Sequence, residues 1–274
     1  MTARCGILAG QGKHPLQLAE ALAKTGPAPF IICLENQADA DFSDYEHMHQ
    51  AMGQIGAITK AFKDANCTSM TMAGKVVRPP LFQMKLDKTA LFLLGKAGMR
   101  GDDNLLKILE AHFEAAGLAM RNPDDILPRL SLAEGYHYGR SLTDLDRQTL
   151  ALGVELLRAI GRLDVGQGCV VQNGRILAIE ATEGTDALIG RSAELVDHGA
   201  GPAMLLKMMK SGQDKKLDAP GFGLQTLQHM VQSGLSVLAV EAETCRSSDS
   251  LTEIEAFAKK HQLTILALSK QFED

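Results

Sequence analysis

The sequence predicts two α/β domains, the first Rossmann-like with a mainly parallel sheet. Short apolar runs alternate with amphipathic helical stretches through the first half, the pattern of a parallel α/β layer. Gly10-Gln11-Gly12 stands between the first such run and the first helix, where an α/β layer can cradle an anion. The chain has 274 residues, comfortable for two domains of ordinary size, and 45% of them are apolar, enough for real cores.

Taken in order, residues 6–9 read as a short buried strand. Residues 15–24 read as a helix with Leu16, Leu18, Ala19 and Leu22 on its core face, and Pro15 suits the first turn. Residues 30–34 form a second strand, 56–65 a helix, and 69–73 a third strand that runs into Gly74-Lys75-Val-Val-Arg78-Pro79. Residues 103–116 are a strong helix, with Leu105, Leu106, Ile108, Leu109 and Phe113 near one face. From Asn122 to Thr143 the character changes, with two prolines, two tyrosines and few apolar runs. This argues a first domain over 1–130, a linker over 131–145 and a second α/β domain over 146–274, opened by a helix from about Thr143 to Ile160.

The second half carries the clearest local signal. Asn173-Gly174 between two apolar runs predicts a type I′ hairpin, because both central positions need positive φ. Beyond it come a strand over 204–208, a helix over 224–232, a strand over 236–241, a helix over 252–261 and a last strand over 263–268.

The net charge of −5 gives no basic surface of the kind that announces nucleic acid. Five widely spaced cysteines without a C-x-x-C read as reduced, mostly buried thiols of a cytoplasmic protein. The first residues lack a signal-peptide profile, and no stretch approaches the ~20 apolar residues that span a bilayer. The expectation is a soluble or at most peripheral protein.

Candidate chemistry gathers in loops after strands. The loop Gly10, Gln11, Gly12 can hold a phosphate or nucleotide or be a plain tight turn; Pro15 stands where the dinucleotide fingerprint wants glycine, so a standard nicotinamide site is rejected. Lys75 and Arg78 end a strand, where α/β sheets collect ligands; ordinary surface cations are the alternative. Of Asp102 and Asp103, one is explained as a helix cap and the other is open to a substrate role.

Two acidic loops follow apolar runs in the same way. In the first, Glu180 falls at the end of an apolar strand, Glu183 sits beside a glycine, Thr182 or Thr185 can cap the next helix, and Asp186 suits that helix's first turn. In the second, Lys210, Gln213, Asp214 and Asp218 crowd charge beside a buried strand, with an Asx-turn or cap as the bland reading. A hard cation such as Mg²⁺ takes one or two carboxylates plus substrate phosphates, which these loops suit in kind. The eight histidines form no metal spacing.

Several of these motifs, with others, resemble one family. Gly6-x-Leu-Ala9-Gly10-x-Gly12-x-x-Pro15, Gly74-Lys75-Val-x-Arg78-Pro79, Gly101-Asp102-Asp103, Ile160-Gly-Arg-Leu-Asp164-x-Gly166-Gln167, Glu180-Ala-x-Glu183-Gly-Thr185-Asp186 and Gln213-Asp214…Asp218-x-Pro220 are similar to the LpxI-type UDP-2,3-diacylglucosamine pyrophosphatases of lipid A biosynthesis. They run in order along nearly the whole chain. His14, Ser211, Lys216 and Ala219 depart from the family pattern, and none of the departures removes a carboxylate.

The resemblance implies Mg²⁺-dependent hydrolysis of UDP-2,3-diacylglucosamine to UMP and 2,3-diacylglucosamine 1-phosphate (lipid X), by a homodimer. It ties catalysis to the D-x-P aspartate, Asp218, with Asp214 and Gln213 beside it. The expected metal ligands are Asp218, Glu183 and Asp186; the expected substrate contacts are Gly10, Gln11, Gly12, Lys75, Arg78, Asp102, Asp103, Thr185 and Lys210. The apolar stretch 81–94 offers a lipid groove, a peripheral contact with the inner membrane, or a core helix. A non-hydrolytic nucleotide-sugar binding protein, or a sugar-nucleotide hydrolase of other specificity, is the rival expectation.

Overall fold

The computed structural model describes residues 3–77, 84–97, 102–210 and 219–269, with the backbone alone for 97 and 102–104. Arg78, Gln213, Asp214 and Asp218 lie outside the described residues, as do the side chains of Asp102 and Asp103. The chain divides into two units, Met1–Pro128 and Arg129–Asp274.

In the first unit the strands are β1 (Arg4–Ala9), β2 (Phe30–Leu34), β3 (His47–Gln50), β4 (Cys67–Ala73) and β5 (Ala119–Met120). Helices α1 (His14–Thr25), α2 (Ile55–Asp64), α3 (Lys88–Ala97), α4 (Asp102–Ala115) and α5 (Pro123–Ile126) connect or follow them. The sheet order is β3-β2-β1-β4-β5 and every pair is parallel. Side chains alternate across each strand, so β1 sends Cys5, Ile7 and Ala9 toward Leu18, Ala19 and Leu22 of α1. Its other face, with Met70 of β4, packs on Ile58 and Phe62 of α2, Leu93 of α3 and Phe113 of α4. Each such fully buried side chain contributes roughly 1.5–3 kcal/mol.

The second unit contains β6 (His137–Tyr138), α6 (Asp144–Gly161), β7 (Gly168–Gln172), β8 (Arg175–Ile179), α7 (Thr185–Ser192) and β9 (Ala203–Lys207). It continues with α8 (Leu224–Gln232), β10 (Leu235–Glu241), α9 (Leu251–His261) and β11 (Thr264–Leu268). The order is β6-β11-β10-β9-β7-β8. Strands β9, β10 and β11 are parallel, whereas β7 runs antiparallel to β8 and β9, and β6 antiparallel to β11, so this sheet is mixed. One face packs on α7, α8 and α9 through Leu188, Leu227, Met230 and Ile254. The other packs on α6 through Leu150, Val154 and Leu157.

Local chemistry accounts for the element ends. The β7–β8 turn has φ 49° at Asn173 and 71° at Gly174, as the dipeptide predicts. Helix α6 begins with a capping box: Asp146 N–H donates to Thr143 Oγ1 (3.2 Å) and Thr143 N–H donates to Asp146 Oδ2 (2.8 Å). All five cysteines are free and buried.

One expectation needs correction. Residues 131–145 do not merely link: β6 pairs with Leu266 and Ile265 of β11, and Tyr136 Oη donates to Glu255 Oε1 at 2.9 Å. A two-residue strand held by one neighbour leaves no periodic trace, so composition alone read as a connection. Strand β3, His-Met-His-Gln at a sheet edge, is too polar to register as a strand. The 81–94 stretch contains the start of α3, with Ala90 and Leu93 buried but Leu91 and Phe92 57% and 63% exposed, so this helix has apolar groups on both faces. Residues 81–83 of that stretch lie outside the described residues.

Candidate functional site

In the first unit the chain leaves β1 toward β2 and β3, then returns to β4 on the other side. The β1/β4 gap is therefore the topological switch point, where open α/β sheets bind ligands beyond the strand ends. The loops after these two strands are stitched together. Gly10 N–H donates to Ala73 O (2.8 Å), Gln11 N–H to Lys75 O (2.8 Å), and Lys75 N–H to Gln11 O (3.0 Å). A side chain at Gly74, where φ is 92°, would place its Cβ 2.7 Å from Gln11 O; one at Gly10 would lie 2.6 Å from Lys75 O. Glycine is required at both positions because backbone meets backbone.

The loop after β2 completes this edge. Gln37 clamps Val77 by accepting from its N–H and donating to its carbonyl, each at 3.0 Å, and Gly12 N–H donates to Asp39 Oδ1 at 2.7 Å. The structure thus brings Gly10, Gln11, Gly12 and Lys75 to one place, and the loop already holds one anionic group, the chain's own Asp39.

In the second unit β8, β9 and β10 end on the same edge of the sheet at which β7 begins. Three charged side chains are buried there: Glu180 at 5% exposure, Lys207 at 4% and Glu241 at 9%. Each is held by hydrogen bonds, as a buried charge must be. Glu180 Oε1 accepts from Thr185 Oγ1 (2.8 Å) and Oε2 accepts from Gln167 N–H (3.3 Å). A Cβ on Gly168 would come within 2.7 Å of that same Oε2, so the glycine makes room for the carboxylate. Glu241 Oε2 accepts from Thr244 Oγ1 (2.5 Å) and from Met209 N–H (3.3 Å), and Lys207 Nζ donates to Gly221 O (2.5 Å).

The two loop carboxylates expected to hold metal have partners. Glu183 Oε1 pairs with Arg191 Nη2 at 2.9 Å. Its slight burial pushes the carboxyl up, but backbone N–H groups and the Arg191 guanidinium outweigh this and hold it below its ordinary value. Asp186 faces His229 across 3.2 Å. Lys210 pairs with Asp164. The expectation that Thr182 or Thr185 caps α7 is not met: Gly184, at φ 81°, is the cap, no side chain caps the helix, and the Thr185 hydroxyl goes to Glu180.

Among the described residues no three of His, Cys, Asp and Glu gather as a metal site. In donor chemistry this edge nevertheless fits Mg²⁺. Glu183 and Asp186 are carboxylates, and the side-chain oxygen of Gln167, buried and without a hydrogen-bond partner, adds a neutral oxygen.

Sequence reasoning assigned no role to Lys207, Glu241 or Gln167. The signal for the first two was a charge at the end of an otherwise apolar strand, the same anomaly that drew notice to Glu180. No helix among the described residues is long and apolar enough to cross a membrane.

Comparison with known proteins agrees with these features. Residues 4–130 match the LpxI N-terminal domain and residues 133–266 the LpxI C-terminal domain. A curated relative, the UDP-2,3-diacylglucosamine pyrophosphatase LpxI of Caulobacter vibrioides, is 31% identical over 253 residues, covering 87% of this chain and 88% of the relative. With both domain models matched in order and a relative aligned over nearly its whole length, the chain belongs to the LpxI family.

Proposed function

We propose that this protein hydrolyses the diphosphate of UDP-2,3-diacylglucosamine in lipid A biosynthesis, releasing UMP and lipid X. The observation that carries the reading is the 31% identity to a relative of that activity across 87% of the chain. The chemistry at the strand ends supports it. Water adds to one phosphorus, the bridging P–O bond breaks, and a proton passes from water to a nearby base. Asp218 is assigned as that base or as a metal ligand, with Asp214 and Gln213 beside it.

Glu183 and Asp186, together with Asp218, would hold Mg²⁺, which when bound neutralises phosphate charge and lowers the pKa of water. Lys75 and Arg78 are assigned to the diphosphate, and Gly10, Gln11 and Gly12 to the nucleotide end. Asp102, Asp103, Thr185 and Lys210 are the remaining substrate contacts. The exposed Leu91 and Phe92 of α3, with Lys88 and Lys96 on the same helix, support a peripheral contact with the anionic face of the inner membrane, on a cytoplasmic homodimer.

The test is incubation with UDP-2,3-diacylglucosamine, with Mg²⁺ or with excess chelator. UMP is expected only with the metal, and Asp218→Ala should retain substrate while losing turnover about 10²–10⁴-fold. UMP formation unaffected by chelation removes the metal, and unchanged turnover in Asp218→Ala removes that aspartate. Binding of the nucleotide sugar without any UMP would favour a non-hydrolytic binding protein.

A further inference from the structure

Strand β3 carries histidine at alternate positions, His47 and His49, on the open edge of the first sheet. Side chains alternate along a strand, so both imidazoles leave one face and Met48 leaves the other. The register agrees. His47 and His49 stand beside Ile31 and Cys33 of β2, which pack on the α1 side, whereas Met48 packs on the opposite cluster. Both histidines are exposed, and their ring centres lie 6.0 Å apart with the planes at 82°. An interval of two means nothing in a loop or on a helix, but a strand turns it into a shared face.

This geometry suits one metal ion. Two imidazoles on a tetrahedral ion, with metal–nitrogen bonds of about 2.0–2.1 Å, place their ring centres roughly 5–6 Å apart. A small turn of either exposed ring about its side-chain bonds is enough to close on the ion. His47 is already oriented for this, because its Nδ1 lies 2.9 Å from Tyr45 O. A carbonyl only accepts, so Nδ1 carries the proton and the neutral ring keeps its lone pair on Nε2. Metal-binding histidines are held in the same way, with the far nitrogen donating to a carbonyl or carboxylate.

Negative charge stands close by. The Asp41 carboxyl is held below its ordinary value, first by the Ser43 N–H (2.9 Å) and side chain and also by the nearness of His47. Glu46, next to His47 in sequence, is instead engaged by Arg4 at 2.8 Å.

We propose that His47 and His49 form a chelate for a borderline divalent transition ion, Zn²⁺, Ni²⁺ or Cu²⁺. Among the described residues no third His, Cys, Asp or Glu joins them, so water fills the remaining positions. Imidazole nitrogen selects these ions, whereas Mg²⁺ takes oxygen. The chelate is therefore separate in chemistry from the carboxylates assigned to Mg²⁺, and it does not depend on the assigned hydrolysis. Its strength comes from the strand: once one nitrogen is bound, the other is held at high effective concentration.

The experiment titrates the full chain, stripped of metal, with Zn²⁺ or Cu²⁺ in a calorimeter. It compares wild type with His47→Ala, His49→Ala and, as a control, His198→Ala, another exposed histidine. Wild type should show one tight site, with Cu²⁺ bound more tightly than Zn²⁺. Affinity should fall about tenfold or more in each strand variant and hold in the control. Electron paramagnetic resonance of bound Cu²⁺ should show two nitrogen couplings in wild type and one in each strand variant. The ion-free variants should melt near wild type because both side chains are exposed, and Zn²⁺ should raise the melting temperature of wild type more than theirs.

Equal affinity in wild type and the strand variants overturns the chelate, and so does a loss confined to one of them. Failure of wild type to bind either ion, or a single nitrogen coupling in its Cu²⁺ spectrum, overturns it as well.

Discussion

Thr185 Oγ1 lies 2.8 Å from Glu180 Oε1, so the first residue of α7 holds the buried carboxylate that directly follows β8. Replacing that hydroxyl by a methyl leaves Glu180 with fewer donors at nearly the same burial. Thr185→Val should lower unfolding free energy by about 1–3 kcal/mol in a denaturant titration. Thr185→Ser, which keeps the donor, should lie much closer to wild type.

The glycine pair of the first unit makes a sharper prediction. Gly74→Ala forces a Cβ to 2.7 Å from two backbone atoms at a positive φ, whereas Gly12→Ala, also at positive φ, meets nothing within 4 Å. Gly12→Ala should cost about 1–2 kcal/mol of stability for its backbone conformation alone. Gly74→Ala should cost more and should weaken UMP binding measured by calorimetry, because the loops must part.

Asp146 sets a pH dependence with a definite sign. Burial pushes its carboxyl up, but the Thr143 N–H and the Arg140 guanidinium outweigh burial and hold it below the ordinary value. Its folded pKa is therefore below the unfolded one. The stabilisation is complete above the unfolded value near ~4 and is lost as pH falls through the depressed folded value. Unfolding of wild type measured from pH 6 downward should show this loss, and Asp146→Asn should be less stable at pH 6 with a shallower slope below it.

Helix α3 offers a separable test. Leu91→Ser and Phe92→Ser remove two exposed side chains, so the melting temperature should stay nearly constant. If α3 meets lipid, co-sedimentation with vesicles containing anionic lipid should drop for the double variant and for wild type in high salt. Equal sedimentation would place any lipid contact elsewhere on the chain.

Much of the fold was legible because burial leaves a period. Phe30-Ile-Ile-Cys-Leu34, buried throughout, could hardly be other than a central strand, and Asn173-Gly174 dictated its turn. Strands β3 and β6 escaped because pairing at a sheet edge asks little of side chains. The site was legible by residue type more than by partner. Glu180 stood out as a carboxylate on an apolar strand, yet nothing in its spacing named Thr185 as the donor. In sequence nothing marks Lys207, because one lysine at the end of an apolar run looks like a strand reaching water. Only the position of Gly221, fourteen residues on, shows that it does not.

Each half of the chain buries its own apolar interior, with α1 to α4 around one sheet and α6 to α9 around the other. Such halves melt as cooperative blocks in their own right, so differential scanning calorimetry should give a total heat larger than the van't Hoff value of a single transition. A ligand that engages only one block would then lift one shoulder of the trace and leave the other where it was.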